Sequence, residues 1–322
     1  MDAIVVGIDV SKDKLDIAVL PQGQTFAISR DAKGLDGLIA RLKPLAIEAV
    51  AVEATGGFEA VVAASLAAEG LPVIVVNPAQ VRAFAKALGQ RAKTDPIDAM
   101  VIARFAMATK PEIRPLPDEA TRFLNDLVCR RRQIIEMIVA EKQRAMRLSN
   151  KRLQQSIARL IKALEKELAG LDTDIDVAVR GSPAWREKED LLISVPGVGK
   201  STARTLLAVV PELGALRARE AGSIVGCAPF TRQSGLWKGK SFISGGRPAA
   251  RSALFLSALV AMQHNPQMKG FYERLVGAGK AKKVALIAVA RKLAVLLNAI
   301  LRDKRPWRFS SNQGLAHAEA SI

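Results

Sequence analysis

An α/β layer, then a long helical arm, then a mainly helical C-terminal domain is the architecture this sequence predicts, and three observations predict it. Over the first hundred or so residues, short β-branched runs alternate with amphipathic stretches, the pattern of a sheet covered by helices. From Asp118 to about Asp176 the chain is charged, lacks glycine until Gly170 and repeats leucine or isoleucine at three- and four-residue multiples. After Pro183, apolar-striped helices are separated by basic, glycine-punctuated loops. The expected boundaries are 1–115 for the α/β domain, 116–182 for the arm and linker, and 183–309 for the C-terminal domain; the small polar tail 310–322 reads as disordered.

In the α/β part, Ala3–Val10, Leu15–Leu20 and Thr25–Ile28 read as three strands, the last two joined by the turn Pro21-Gln22-Gly23-Gln24. A short helix is expected over Leu35–Leu42, a strand over Ala46–Val52, a helix from Gly56-Gly57 through Glu69, a strand over Leu71–Val76 and a helix over Ala79–Leu88. The basic stretch Gln90–Lys93 leads to Asp95-Pro96-Ile97-Asp98. Pro96 suits a first helical position, and the residue before a proline is pushed to extended geometry, so Asp95 is the expected N-cap and Asp98 falls in the first turn. The same spacing also fits a plain capping box.

Four acids thus sit at the ends of elements: Asp9 at the end of the first strand, Glu53 at the end of a later one, and Asp95 and Asp98 at a helix start. In open α/β sheets ligands collect beyond the carboxyl ends of strands. Converging carboxylates repel one another unless a cation lies between them, and oxygen ligands suit a hard divalent ion, Mg²⁺ first and Mn²⁺ as the alternative. Two such ions can clamp the attacking and leaving oxygens of a phosphodiester. The composition agrees: 48 Lys and Arg against 31 Asp and Glu leave a formal charge of +17, which calls for a polyanionic partner. Two cysteines and two histidines are too few for a disulfide framework or a cysteine or histidine metal site. No signal peptide is evident at the N-terminus, and no apolar run reaches the length of a membrane span.

Gly7-Ile8-Asp9-Val10-Ser11-Lys12, Glu53-Ala54-Thr55-Gly56 and Lys93-Thr94-Asp95-Pro96-Ile97-Asp98-Ala99 resemble the DEDD-type insertion-sequence transposases. The resemblance implies an RNase H-like N-terminal domain of the kind found in RuvC junction resolvases, with Asp9, Glu53, Asp95 and Asp98 as the metal-binding acids. It extends to Ala228-Pro229, Ser234-Gly235, Gly245-Gly246-Arg247 and Arg251, which fit the same family's C-terminal domain. There the family implies a serine nucleophile, placed on Ser234, with Ser241 and Ser244 as rivals. Arg232, Lys238, Arg247 and Arg251 would hold the scissile phosphate. The family further implies DNA partners (element ends and target), a bridge RNA pairing with both, a cytoplasmic, nucleoid-associated location and no membrane.

The arm's narrow apolar stripe is that of a coiled coil, interrupted at Ser149-Asn150 where a hairpin fits, with one continuous helix as the alternative. Such an arm supports dimers, and exchange between two duplexes suits a tetramer. Gly199-Lys200-Ser201 imitates the end of a phosphate-binding loop, but the motif's first glycine is replaced by Ser194. The better reading is a helix–hairpin–helix turning at Pro196-Gly197-Val198-Gly199, with Gly197, Gly199 and Lys200 at a DNA phosphate. The functional expectation is a DNA recombinase of an insertion element. Its rivals are a metal-dependent, resolvase-like nuclease without a covalent step and a non-catalytic nucleic-acid scaffold; a nucleotide-triphosphate hydrolase ranks last.

Overall fold

Five strands in the order β3-β2-β1-β4-β5 form the one large sheet among the described residues. They are β1 (Ile4–Val10), β2 (Lys14–Leu20), β3 (Gln24–Ser29), β4 (Ile47–Glu53) and β5 (Val73–Val76). The first three make an antiparallel meander, while β4 and β5 add in parallel to β1. The computed structural model describes residues 3–90, 95–114, 116, 118–231, 233, 234, 237–239 and 241–308. The chain divides into two units, Met1–Leu116 around this sheet and Pro117–Ile322, which is almost wholly helical.

Strand alternation sends side chains to two different cores. Val6, Ile8 and Val10 pack with Leu35, Leu38 and Leu42 of α1 (Ala32–Leu42) and with Val62, Ala63 and Leu66 of α2 (Phe58–Ala68). On the opposite face Val5, Ala49, Ala51, Ile74 and Val76 meet Val81 of α3 (Pro78–Ala87) and Val101, Ile102, Phe105 and Ala106 of α4 (Asp95–Thr109). Asp31 and Asn77 cap α1 and α3 by accepting the Gly34 and Ala79 N–H groups at 2.7 and 2.8 Å. The strands and helices expected in this unit are all present, with ends shifted by at most three residues.

The second unit starts with two long helices, α5 (Glu119–Ala145) and α6 (Lys151–Gly181), with Asn150 capping the second. The break at Ser149-Asn150 is therefore a hairpin, and the single-helix alternative is excluded. Lys142–Glu165 at 3.2 Å and Arg131–Asp172 at 2.5 Å fix the antiparallel register over a seam of Ile134, Ile138, Leu164 and Leu171. At the root of the pair, Leu124, Val128, Ile175 and Val179 leave this seam and join the main core of the unit. Ser182 alone separates α6 from α7 (Pro183–Ile193): it ends the first helix and accepts the Trp185 N–H that caps the second, at 3.4 Å. Fully buried Glu189 of α7 takes Arg180 of α6 at 3.0 Å and Arg204 of α8 (Lys200–Val209) at 2.7 Å, and Arg204 also binds Asp176. A buried carboxylate is tolerable only when neutralised in this way, so the network ties the arm's base to the helices beyond it.

Beyond α9 (Ala218–Ile224), a β-ribbon precedes α10 (Pro248–His264), α11 (Pro266–Gly277) and α12 (Lys282–Asp303). One sequence expectation fails at α12, which is long and apolar enough to cross a membrane by length and composition. Its apolarity has another use: Val289, Ala290, Leu293, Ala294, Leu297 and Ile300 are central to the core of the helical unit.

Candidate active site

The acids expected to hold metal follow from strand alternation. Val5 and Gly7 face α4, and Asp9 is the next residue of β1 on that side. On β4, Ala49 and Ala51 face the same way, so Glu53 does too; its partner across the ladder, Val76, lies in that core. The register pairs Ile8 with Val52, which puts Asp9 and Glu53 at the carboxyl ends of adjacent parallel strands, about 4.8 Å apart strand to strand.

The helix α4 is laid over this face by an unusually close contact. A Cβ at Gly7 would lie 2.3 Å from the Ala99 carbonyl oxygen and 2.4 Å from the Ala103 nitrogen. Only glycine allows helix backbone to rest on strand backbone here. Val5 packs with residues 101–106 while Gly7 meets 99 and 103, so α4 runs antiparallel to β1. One further strand step, from Gly7 to Asp9, leads towards the first turn of α4, which carries half-buried Asp98. The Asp95 side chain lies outside the described residues.

Sequence reasoning missed two acids. Asp16 is the direct cross-strand partner of Asp9, only 5% exposed, with Lys14 at 3.1 Å. Two aspartates facing each other across a ladder repel unless a cation offsets them. The alternation Leu15-Asp16-Ile17 within an apolar strand was the available signal. Glu59 is the other: its Oε2 accepts the Thr55 N–H at 3.0 Å, the Thr55 hydroxyl at 3.1 Å and the Gly57 N–H at 2.8 Å. Partial burial would raise the Glu59 pKa, but these hydrogen bonds outweigh it and hold the carboxyl below its ordinary value. The loop that follows Glu53 is thereby fixed. Asp9, Asp16, Glu53 and Asp98 carry only oxygen donors, the kind a hard divalent ion prefers. Among the described residues, no three His, Cys, Asp or Glu side chains gather closely enough to form a metal group by themselves.

The expected nucleophile stands on a β-ribbon. Its outer ladder pairs β6 (Pro229–Phe230) with β9 (Phe242–Ile243), and its inner ladder pairs β7 (Gln233–Ser234) with β8 (Trp237–Lys238). Ser234 is exposed near the tip. Ser241 lies further back, where its hydroxyl is 3.1 Å from that of Thr231. Two glycines close the root: Gly226 and Gly246 have φ of +70° and +65°, and a Cβ on Gly246 would lie 2.2 Å from the Gly226 nitrogen. Arg247, expected on the phosphate, instead makes two 2.6 Å bonds to Glu212 and a 2.7 Å bond to the Val209 carbonyl. Arg251 donates to the carbonyl of Gly245 at 2.7 Å and, at 3.4 Å, to that of Gly226. Both guanidinium groups therefore brace the ribbon's root. Arg232 lies outside the described residues, as does the side chain of Lys238.

Between α7 and α8 the chain turns at Gly197 (φ +102°), where a Cβ would collide with Ala261 of α10 at 2.4 Å. Gly199 precedes α8 with open space around it, and Lys200 begins that helix exposed.

A mixed sheet carrying carboxylates at its strand ends, joined to a mostly helical remainder, is consistent with an RNase H-like transposase of the DEDD class. Comparison with known proteins makes this specific. A family model described as Transposase, of the DEDD IS110 type, matches residues 6–172, and one described as Transposase IS116/IS110/IS902 family matches residues 189–273. The chain belongs to the IS110 family of transposases. It is 28% identical over 318 residues to the pilin gene-inverting protein of Moraxella lacunata, covering 95% of this chain and 98% of that one. It is also 32% identical over 150 residues to an uncharacterized protein of insertion element IS110 from Streptomyces coelicolor, covering 46% of this chain but 36% of that protein. A protein of insertion element IS900 from Mycobacterium paratuberculosis is 30% identical over 162 residues. Family membership makes this chain a DNA-binding enzyme of transposition and recombination and points to divalent-metal use.

Proposed function

We propose that this transposase cuts and rejoins DNA strands through Ser234, assisted by Asp9, Glu53, Asp95 and Asp98 as holders of Mg²⁺, with Mn²⁺ as a substitute. The observation that carries the reading is the placement of Asp9 and Glu53 at adjacent strand ends, on the face that α4 covers with Asp98 in its first turn. A bound divalent ion would polarise the phosphate and stabilise charge on the departing oxygen. The chain's own groups do the rest. The Ser234 Oγ attacks the scissile phosphorus, its proton passes to a carboxylate, and the P–O bond to one strand end breaks to free a hydroxyl. The phosphoserine so formed is then attacked by the hydroxyl of the incoming strand, which rejoins DNA and restores the serine. Arg232 and Lys238, on the ribbon, offset charge on the phosphate, while Arg247 and Arg251 hold the ribbon's shape.

The turn between α7 and α8 acts as a helix–hairpin–helix, with Gly197, Gly199 and Lys200 at a backbone phosphate away from the chemistry. The arm is a coiled coil through which subunits pair, as a dimer or tetramer. The formal charge of +17 suits DNA together with a bridge RNA. A relative named for inverting a pilin gene supports conservative exchange of defined strands, as opposed to hydrolysis.

The test is incubation of the full chain with element-end DNA, cognate RNA and Mg²⁺, followed by denaturing electrophoresis for a DNA–protein adduct. Wild type forms the adduct and Ser234→Ala does not. Cleavage that persists in Ser234→Ala with no adduct overturns the reading in favour of water-using hydrolysis; an adduct in that variant moves the nucleophile to Ser241 or Ser244.

A further inference from the structure

The charge is not spread evenly over the chain. Residues 1–116 contain 13 Lys and Arg and 13 Asp and Glu, so the whole excess of +17 falls in the helical unit. Part of it is concentrated at the hairpin end of the arm, where the sequence between Glu141 and Glu165 has seven Lys and Arg and no acid. Lys142 and Arg144, on α5, are held by Glu165 and Glu141. The cations of α6 are placed differently. At 3.6 residues per turn, Lys151, Arg152, Arg159, Lys162 and Lys166 fall within one arc of about 100°. That arc lies opposite Leu164 and Leu171, which face α5 in the seam. All five are exposed, and their side chains have no ion pair or hydrogen bond with any described residue. A solvated coiled-coil face ordinarily mixes both signs, because like charges three or four residues apart destabilise a helix. Arg159 with Lys162, and Lys162 with Lys166, are such pairs, and no acid on the arc offsets them. The face therefore calls for an external anion, and its shape narrows which. The five cations run along about 22 Å of helix, and a DNA duplex presents a charge every ~1.7 Å of its axis, so about a dozen phosphates fit alongside. The stretch 124–184 contains no Phe, Tyr, Trp or His, so the face has nothing on which an unpaired base could stack. A second arm is a poorer match, because its Glu141, Glu165, Asp172 and Asp176 are already bonded to cations of their own chain.

We propose that the outer face of the first half of α6 binds the phosphate backbone of a DNA duplex without reading its sequence. Its Lys and Arg side chains meet successive phosphates and displace the counterions that surround them. The proposal rests on the family's being DNA-binding and uses neither Ser234 nor the acids. Its test measures equilibrium binding without divalent ions, so it and the strand-transfer reading can fail separately.

The experiment measures affinity of the full chain for a fluorescein-labelled DNA duplex of random sequence over a range of salt concentrations, and for an RNA duplex of the same sequence. The triple variant Arg159→Gln, Lys162→Gln, Lys166→Gln removes three cations from the face and keeps good helix formers there. A control triple, Lys33→Gln, Lys43→Gln, Lys110→Gln, removes the same charge from the sheet unit, where Lys43 and Lys110 are paired with Glu69 and Glu48. The α6 variant is expected to bind the DNA duplex at least about ten-fold more weakly at low salt, and the slope of log affinity against log salt should shrink by about two to three. The control should match wild type in both. Unchanged duplex affinity and slope in the α6 variant overturn the proposal. So do equal losses in the two variants, which would make the effect one of net charge, and a loss confined to the RNA duplex. A loss that accompanies a smaller oligomer mass by light scattering also overturns it, since the face would then be a subunit contact.

Discussion

In the sheet unit, Asp9 and Glu53 stand at the carboxyl ends of strands of seven residues each, paired on both sides and covered by α4 at the Gly7 contact. In the helical unit, Ser234 stands on a ladder of two residues, and the ribbon beneath it is braced by the guanidinium groups of Arg247 and Arg251. Backbone contact sets the first half; side-chain bonds set the second. The difference suits the two tasks proposed above. Oxygen ligands must be held within tenths of an ångström to share an ion, whereas a nucleophile has to attack, form a bond to phosphorus and release it.

The largest effect should come from the acids. Asp9→Asn, or removal of divalent ions by EDTA, is expected to lower adduct formation roughly a thousand-fold, and a thermal melt should find the fold intact. Gly7→Val tests whether backbone contact sets the acid half. Its side chain has no room against Ala99 and Ala103, so destabilisation of about 3 kcal/mol or more is expected in urea titration, with loss of activity. If the variant folds normally and stays active, the contrast between the two halves collapses. Arg247→Gln tests the other half. Loss of the partly exposed Glu212 pair should cost only about 1–2 kcal/mol, yet adduct formation should fall further than that stability change explains.

The smallest effect concerns Glu59. Its folded pKa is depressed below the ordinary value of 4.5, so its contribution is present above about pH 4.5 and is lost as pH falls through the lower, folded value. Urea titrations at pH 7 and pH 3 should show Glu59→Gln about 1 kcal/mol less stable at pH 7, with a smaller gap at pH 3.

Much of the sheet unit was legible because strand periodicity and turn residues are local signals. The motif around Asp9 also has a local explanation: Gly7 admits α4, and the Ser11 hydroxyl donates to the Lys14 carbonyl at 2.8 Å to close the turn into β2. Asp16 was missed because its local signal, an acid alternating with Leu15 and Ile17 in an apolar strand, does not say that its partner across the ladder is Asp9. The protein partners of Arg247 and Arg251 were not legible, because a cation beside a motif looks the same in sequence whether it faces a substrate or a carbonyl. Their partners Glu212 and Gly226 lie 35 and 25 residues away in sequence. The span-like apolarity of α12 was not legible because Arg291-Lys292 and Asn298 interrupt its apolar run.

Ser182 has a mechanical consequence. The helix it ends has 31 residues, about 46 Å of stiff rod, and the same residue starts the next helix with no slack between them. Whatever grips the far tip of that rod therefore works on a lever: a small sideways displacement there arrives at the charge-locked fulcrum of Glu189 and Arg204 as torque, where a loose tether would have absorbed it.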